Sequence, residues 1–248
     1  MGVLNLTPDS FSDGNEYASK KDALAHAHRM IDEGADFIDV GGESTRPGST
    51  PITEEEELSR VIDVIRELSS TSNIPISIDT MKPAVAEASL KAGASIINDV
   101  GGLREERMIE IAKEYDPRVV IVHMFGSPAT FTTRTMEGNA AEEIKRFLGE
   151  RAEYAISKGV EEKNIIVDPG VGFGKTAEQD LFIIQNSGFF SDRYPVLIGP
   201  SRKRFLSNYY QWIDKDIATA AAALIAYESG ASIVRVHNVS ATRSIFER

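Results

Sequence analysis

The chain has 248 residues, 42% of them hydrophobic and 26% charged, which is the composition of an ordinary folded protein and near the ~250 residues of one eight-fold β/α barrel. A net charge of −11 argues against a nucleic-acid partner, which would need a basic face. No apolar run nears the ~20 residues of a membrane span, no signal or transit peptide is visible and no cysteine is present, so we expect a cytoplasmic protein without membrane contact, disulfides or thiolate metal sites.

Residues 2–6 read as a first strand. Four later segments share one pattern, an amphipathic helix that ends at a glycine and is followed by a short β-branched run: Gly34 before 37–40, Gly93 before 95–98, Gly159 before 165–168 and Gly230 before 232–236. Further apolar runs at 76–78, 119–122 and 196–198 bring the strands to eight, each with room for a helix after it. This alternation predicts a parallel α/β domain over residues 1–248. An open doubly wound sheet has the same alternation. The closed barrel is favoured by the strand ends, which are polar or glycine throughout: Asn5, 39–42, Asp79, Asn98, His123, Asp168, 199–201, and Arg235 with His237. The predicted fold is a single (β/α)8 TIM barrel with its active site at the C-terminal ends of the strands and a short last helix.

The loops after the first two strands read Asn5-Leu6-Thr7-Pro8-Asp9-Ser10-Phe11-Ser12-Asp13-Gly14 and Gly41-Gly42-Glu43-Ser44-Thr45-Arg46-Pro47-Gly48. Turn-forming residues alone would account for them. At strand C-termini, however, Arg46 can grip an anion and the amide oxygen of Asn5 can ligate a hard metal ion. Asp79, Asn98 and Asp168 each close a strand, and three such acceptors on converging strands suit a planar ring with several N–H donors, of the pterin type. The string Asp168-Pro169-Gly170-Val171-Gly172-Phe173-Gly174-Lys175-Thr176 ends like a phosphate loop but lacks the first glycine at the required offset. Its glycines are expected to shape a loop beneath Asp168, with Phe173 offering an aromatic face. Arg235 and His237 alternate along a strand, and with Ser201-Arg202-Lys203-Arg204 they are expected to focus positive potential at the mouth, suiting a diphosphate. His26 and His28 belong to a helix, as packing or solvent-facing residues.

Residues 1–14, 41–48 and 168–176, with Ser201-Arg202-Lys203 and Arg235-Val236-His237, together resemble dihydropteroate synthase, in that family's order and across essentially the whole chain. The resemblance implies condensation of 6-hydroxymethyl-7,8-dihydropterin pyrophosphate with p-aminobenzoate, giving 7,8-dihydropteroate and pyrophosphate in folate biosynthesis, with magnesium as cofactor. It also implies sulfonamide binding and a homodimer. Carried over by motif, it gives the pterin to Asp79, Asn98, Asp168, Lys203 and Arg235, and the pyrophosphate to Asn5, Thr45, Arg46, Arg235 and His237. Asn5 is the implied metal contact. The p-aminobenzoate falls to Phe11, Pro47, Phe173, Ser201 and Lys203, while Asp13, Arg46, Lys203, Arg235 and His237 are the implied catalytic set. Because Phe11, Asp13 and Pro47 sit on the two loops, p-aminobenzoate is expected to bind after pyrophosphate has ordered them.

Asp180, Ala218 and Asn238 depart from the family pattern and are expected to lie outside the contact shell. The chain starts at its first strand without the family's floor hairpin, so a more exposed floor is expected. A pterin-binding methyltransferase domain would share the ring acceptors but has no need of Arg46 or Ser201-Arg202-Lys203. A non-catalytic pterin-binding barrel could lose the pyrophosphate cations. A phosphosugar isomerase would leave the ring acceptors unexplained.

Overall fold

The predicted apolar runs become eight short parallel strands in the computed structural model, which describes residues 1–7, 16–44, 49–126, 135–209 and 212–246, and of 16–19 only the backbone. They are β1 (Gly2–Asn5), β2 (Ile38–Gly41), β3 (Ile76–Asp79), β4 (Ile96–Asp99), β5 (Arg118–Val122), β6 (Ile165–Asp168), β7 (Leu197–Ile198) and β8 (Ile233–Val234). The first six form one sheet in chain order and the last two a pair. Single bridges join these pieces into a ring: Val167 pairs with Val196 between β6 and β7, and Gly2 pairs with Val236 just past β8. Backbone bonds from Val167 N to Pro195 O at 3.0 Å and from Val3 N to Val236 O at 2.9 Å seal the two seams. The barrel is therefore closed.

Helices α1 (Glu16–Asp32), α2 (Glu54–Thr71), α3 (Pro83–Ala92), α4 (Glu106–Tyr115), α5 (Ala140–Ser157) and α6 (Ala177–Gln185) follow the first six strands. Two helices, α7 (Arg204–Tyr209) and α8 (Lys215–Glu228), lie between β7 and β8, and α9 (Val239–Phe246) is the expected short last helix. Gly34, Gly93, Gly159 and Gly230 all take positive φ, as the helix-stop reading requires. At Gly93 space is as decisive as φ, since an added Cβ would lie 2.5 Å from Ser69 Cβ and Oγ. No described helix is long and apolar enough to cross a membrane.

Period-two alternation divides the strands' side chains between two cores. Ile38, Val40, Ile78, Ile97, Ile121, Val167 and Ile198 face outward and pack in the large cluster shared with the helices. Met1, Ile96, Val120, Ile166 and Leu197, with Phe37 and Ile233, fill the interior toward the floor, and Val122, in register with Asp168, carries this cluster toward the mouth. Two positions further along the strands that interior turns polar. Asn98 follows Ile96, Asp168 follows Ile166, and Arg235 follows Ile233, while Asp79 stands beside Asn98 in register.

Candidate active site

These polar residues open into a cavity of about 770 Å³ whose lining includes Asn5, Asp79, Phe173, Ser201, Lys203, Arg235 and His237. Its centre is an ionic cluster. Arg235 Nε lies 2.5 Å from Asp39 Oδ2 and its Nη2 lies 2.7 Å from Asp79 Oδ2. Although burial opposes it, the two carboxylates hold the guanidinium above its ordinary pKa. Burial pushes Asp79 up to about 7 against the pull of Arg235, with Asp39 adding repulsion, and burial pushes Asp168 up to about 6. Three acceptors in this layer, Asp39 Oδ1, Asp79 Oδ1 and Asn98 Oδ1, are buried with no hydrogen-bond partner. Leaving such atoms unsatisfied is costly, and a ring N–H would satisfy those of Asp79 and Asn98.

The loop after β6 is built by glycine, as expected. Gly170, Gly172 and Gly174 all have positive φ. At Gly170 an added Cβ would come within 1.9 Å of the His123 carbonyl oxygen, so no other residue fits. The turn lets Gly170 N donate to Asp168 Oδ1 at 2.7 Å and brings Phe173 under the Lys203 ammonium, 4.3 Å from the ring centroid. The loop runs into α6 through a capping box between Thr176 and Gln179. Lys175 does not form a phosphate cradle. It is buried and folds back onto His123 Nδ1 at 3.0 Å and the carbonyls of His123 and Phe173. Burial draws this ammonium down to about 7 and the His123 imidazole down to about 2.

On the other side of the mouth, His237 Nδ1 lies 2.8 Å from Ser201 Oγ, and its Nε2 lies 3.2 Å from Asn5 Nδ2. In the tautomer with the proton on Nδ1, Nε2 accepts from the Asn5 amide and leaves Asn5 Oδ1 as a hard oxygen donor. The loop after β2 is tied down at its root. Lys82 Nζ bridges Glu43 and Glu57 at 2.6 and 2.5 Å, Glu43 also accepts from Ile52 N, and Arg60 donates to the Gly42 carbonyl.

The structure therefore brings together Asn5, Asp79, Asn98, Asp168, Phe173, Ser201, Lys203, Arg235 and His237 at one end of the barrel. Phe11, Asp13, Thr45, Arg46 and Pro47 lie outside the described residues. Three expectations are corrected. Arg235 and His237 follow β8 rather than lie on it, and Arg235 is bound by two acids, so its charge is not a free source of positive potential. Arg202 forms a two-point ion pair with Asp216, which takes up its charge too. Asp180 is not outside the contact shell: it is buried, lines the cavity and accepts from Gly172 N at 2.7 Å. From the sequence Asp39 enters only as one of the polar strand-end positions 39–42, with no ligand role, and Glu57 is not singled out. The inward-facing positions of Asp39 on β2 and Asn98 on β4, with β3 between them, are the available signal for Asp39.

Residues 1–237 match the family described as pterin binding enzyme. The dihydropteroate synthase of Bacillus subtilis is 43% identical over 246 residues, 96% of this chain and 83% of its own length. Among solved structures, the Xanthomonas albilineans dihydropteroate synthase with 4-aminobenzoic acid has a TM-score of 0.93 at 38% identity, covering 100% of this chain and 90% of that one. That of Burkholderia cenocepacia, complexed with 7,8-dihydropteroate, has a TM-score of 0.89 at 39% identity, covering 100% and 89%. This chain belongs to the pterin-binding enzymes and, within them, to the dihydropteroate synthases.

Proposed function

We propose that the cavity joins 6-hydroxymethyl-7,8-dihydropterin pyrophosphate to p-aminobenzoate by the following division of labour. Asp168, Asp79 and Asn98 accept the ring N–H groups, and Arg235 and Lys203 lie along the ring. His237 and Asn5 face the pyrophosphate, joined by Thr45 and Arg46. Phe173, Ser201 and Lys203, with Phe11 and Pro47, receive the arylamine. The observation that carries this reading is the pair of buried, unpartnered acceptors Asp79 Oδ1 and Asn98 Oδ1 in a cavity that also holds Lys203, Arg235 and His237.

In the reaction the bond from the pterin methylene to the pyrophosphate oxygen breaks, and the arylamine nitrogen bonds to that carbon and gives up a proton. Positive charge develops on the methylene, beside Asp13 in this proposal, while His237 and Arg46 meet the charge collecting on the leaving group. The arylamine lone pair is free at neutral pH and needs no strong base. Magnesium fits the donor set. No group of three acids or histidines that could cage a metal is found among the described residues, and Mg²⁺ usually takes one or two protein oxygens together with phosphate oxygens and water. Asn5 Oδ1 would hold the ion, which supplies charge neutralisation on the leaving pyrophosphate.

A homodimer is part of the proposal, supported by apolar side chains exposed on neighbouring helices and their connection: Phe182 on α6, Ile217 on α8, and Trp212, 93% exposed. The polyanionic substrate does not cross a bilayer unaided, which supports a cytoplasmic location. The test is to incubate the purified protein with the pterin pyrophosphate, magnesium and p-aminobenzoate and look for dihydropteroate, with a sulfonamide expected to compete with the arylamine. Pterin binding without product would identify a non-catalytic barrel. Titrating p-aminobenzoate with and without pyrophosphate and magnesium tests the ordered binding, which equal affinities would contradict.

A further inference from the structure

Asp39 has no part in the roles assigned above, yet it is fully buried on the inward face of β2, one inward position below Gly41. Its Oδ2 accepts from two donors, Arg235 Nε at 2.5 Å and Asn98 Nδ2 at 3.3 Å. A carboxylate oxygen already engaged by a guanidinium offers its other neighbours an acceptor. The end of the Asn98 carboxamide that meets it is therefore the amino end. The opposite end, Asn98 Oδ1, is the buried and unpartnered oxygen noted above. Turning the amide by half a rotation would set oxygen against oxygen at Asp39 and give up a charge-assisted hydrogen bond.

We propose that Asp39 is a positioning residue for ring recognition, fixing the Asn98 carboxamide with its oxygen toward the ligand so that it accepts a ring N–H. The inference rests on the pterin reading of the cavity. Asn98 by itself could present a donor or an acceptor, since the two ends of an amide have nearly the same shape. Asp39 removes that ambiguity before any ligand arrives. The arrangement also requires Asp39 to sit where it does: Val40 lies in the outer core, and Gly41, paired in register with Asp79, carries no side chain to reach Asn98.

The test is a double-mutant cycle read by calorimetry with 6-hydroxymethylpterin as probe. Asp39→Asn offers Asn98 a donor or an acceptor alike, so it should weaken binding about tenfold in the parent protein and less than about threefold when Asn98 is already alanine. Equal losses in the two backgrounds would mean that Asp39 merely supports the barrel, and no loss in the parent would also overturn the proposal. A parent protein that fails to bind the probe defeats the pterin reading itself, which keeps the two failures apart. Should the substituted chains not fold, the unsubstituted protein labelled at asparagine provides the measurement. Adding the probe should shift the Asn98 carboxamide carbon, as accepting a hydrogen bond does, while its Nδ2 follows only through the conjugation of the amide and its protons keep their hydrogen bond to Asp39. A large Nδ2 displacement with an unmoved carbon would show the amide facing the other way and refute the assignment.

Discussion

Ile96 and Asn98 are two residues apart on β4, as are Ile166 and Asp168 on β6, and Ile233 and Arg235 at the end of β8. The lower member of each pair packs in an apolar floor. The upper member joins a layer that includes the carboxylates of Asp39, Asp79 and Asp168, the Asn98 amide and the Arg235 guanidinium. The floor is satisfied within itself and gains from exclusion of water. The mouth retains buried acceptors without partners, with Asp79 and Asp168 drawn toward neutrality. One set of strands thus separates a stabilising layer from a recognising one by a single pleat.

Arg235 is where that separation should break most visibly. The family resemblance gives Arg235 to the ring and the pyrophosphate, which places the effect of its loss on ligand binding. Because it pairs with both Asp39 and Asp79, Arg235→Ala should also destabilise the empty protein, by about 3–5 kcal/mol, since removing one partner leaves buried charge uncompensated. Denaturant unfolding measures this, and an unchanged midpoint would show that the acids tolerate its absence. Leu197→Ala, in the floor, should cost about 2–5 kcal/mol of stability while leaving pterin affinity of the folded protein within about twofold. A large affinity loss would mean that floor and mouth are coupled.

Asp168→Asn should do the reverse. Asparagine can still accept from Gly170 N, so the melting temperature should hold or rise, while pterin affinity falls by about 2–3 kcal/mol because a charged two-acceptor contact is lost. Calorimetry and thermal melting on the same sample would settle both halves. The pH dependence sharpens the contrast further. Asp79, Asp168 and Asp180 are raised in the folded state to about 7, 6 and 6, so between roughly pH 4 and 7 the folded protein holds protons that the unfolded chain releases. Their contribution to stability is therefore lost as pH rises through that window, while His123 and Lys175, lowered by burial, act in the opposite sense; the share of Asp168 is read by difference, and Asp168→Asn should gain in melting temperature relative to the parent between pH 5 and pH 8. Binding that needs ionised Asp168 runs the other way, weakening by up to about tenfold per pH unit below about 6. Parallel slopes for stability and affinity would contradict the assignment.

The sequence disclosed the barrel and most of the mouth for the same reason. Apolar runs closed by Asp79, Asn98 and Asp168 carry their polar signal at strand ends, where alternation fixes which face it takes. Glycines 170, 172 and 174 announced a tight loop, and all three need positive φ. What stayed hidden depends on partners far away in the chain. Asp39 becomes meaningful only beside Arg235, 196 positions later. Glu57 lies in a run of four glutamates, and only the packing of α2 against the loop after β2 reveals that it is the fully buried one, held by Lys82. Lys175 ends a string whose glycine spacing already argues against a phosphate loop, but only its contact with His123 reveals it as a fastening for the β6 loop.

The seam between β8 and β1 also bears on how such a chain is made. Asn5 and His237 touch across 232 positions of sequence. During synthesis Asp39, Asp79 and Asp168 emerge long before Arg235 does. A ring of six strands assembled in the meantime would enclose carboxylates with no guanidinium to meet them, which disfavours it as a resting state. The last strand therefore delivers closure and counter-charge together. Contacts of such long range slow folding, and a nascent chain lacking its final segment has neither a sealed barrel nor a finished site.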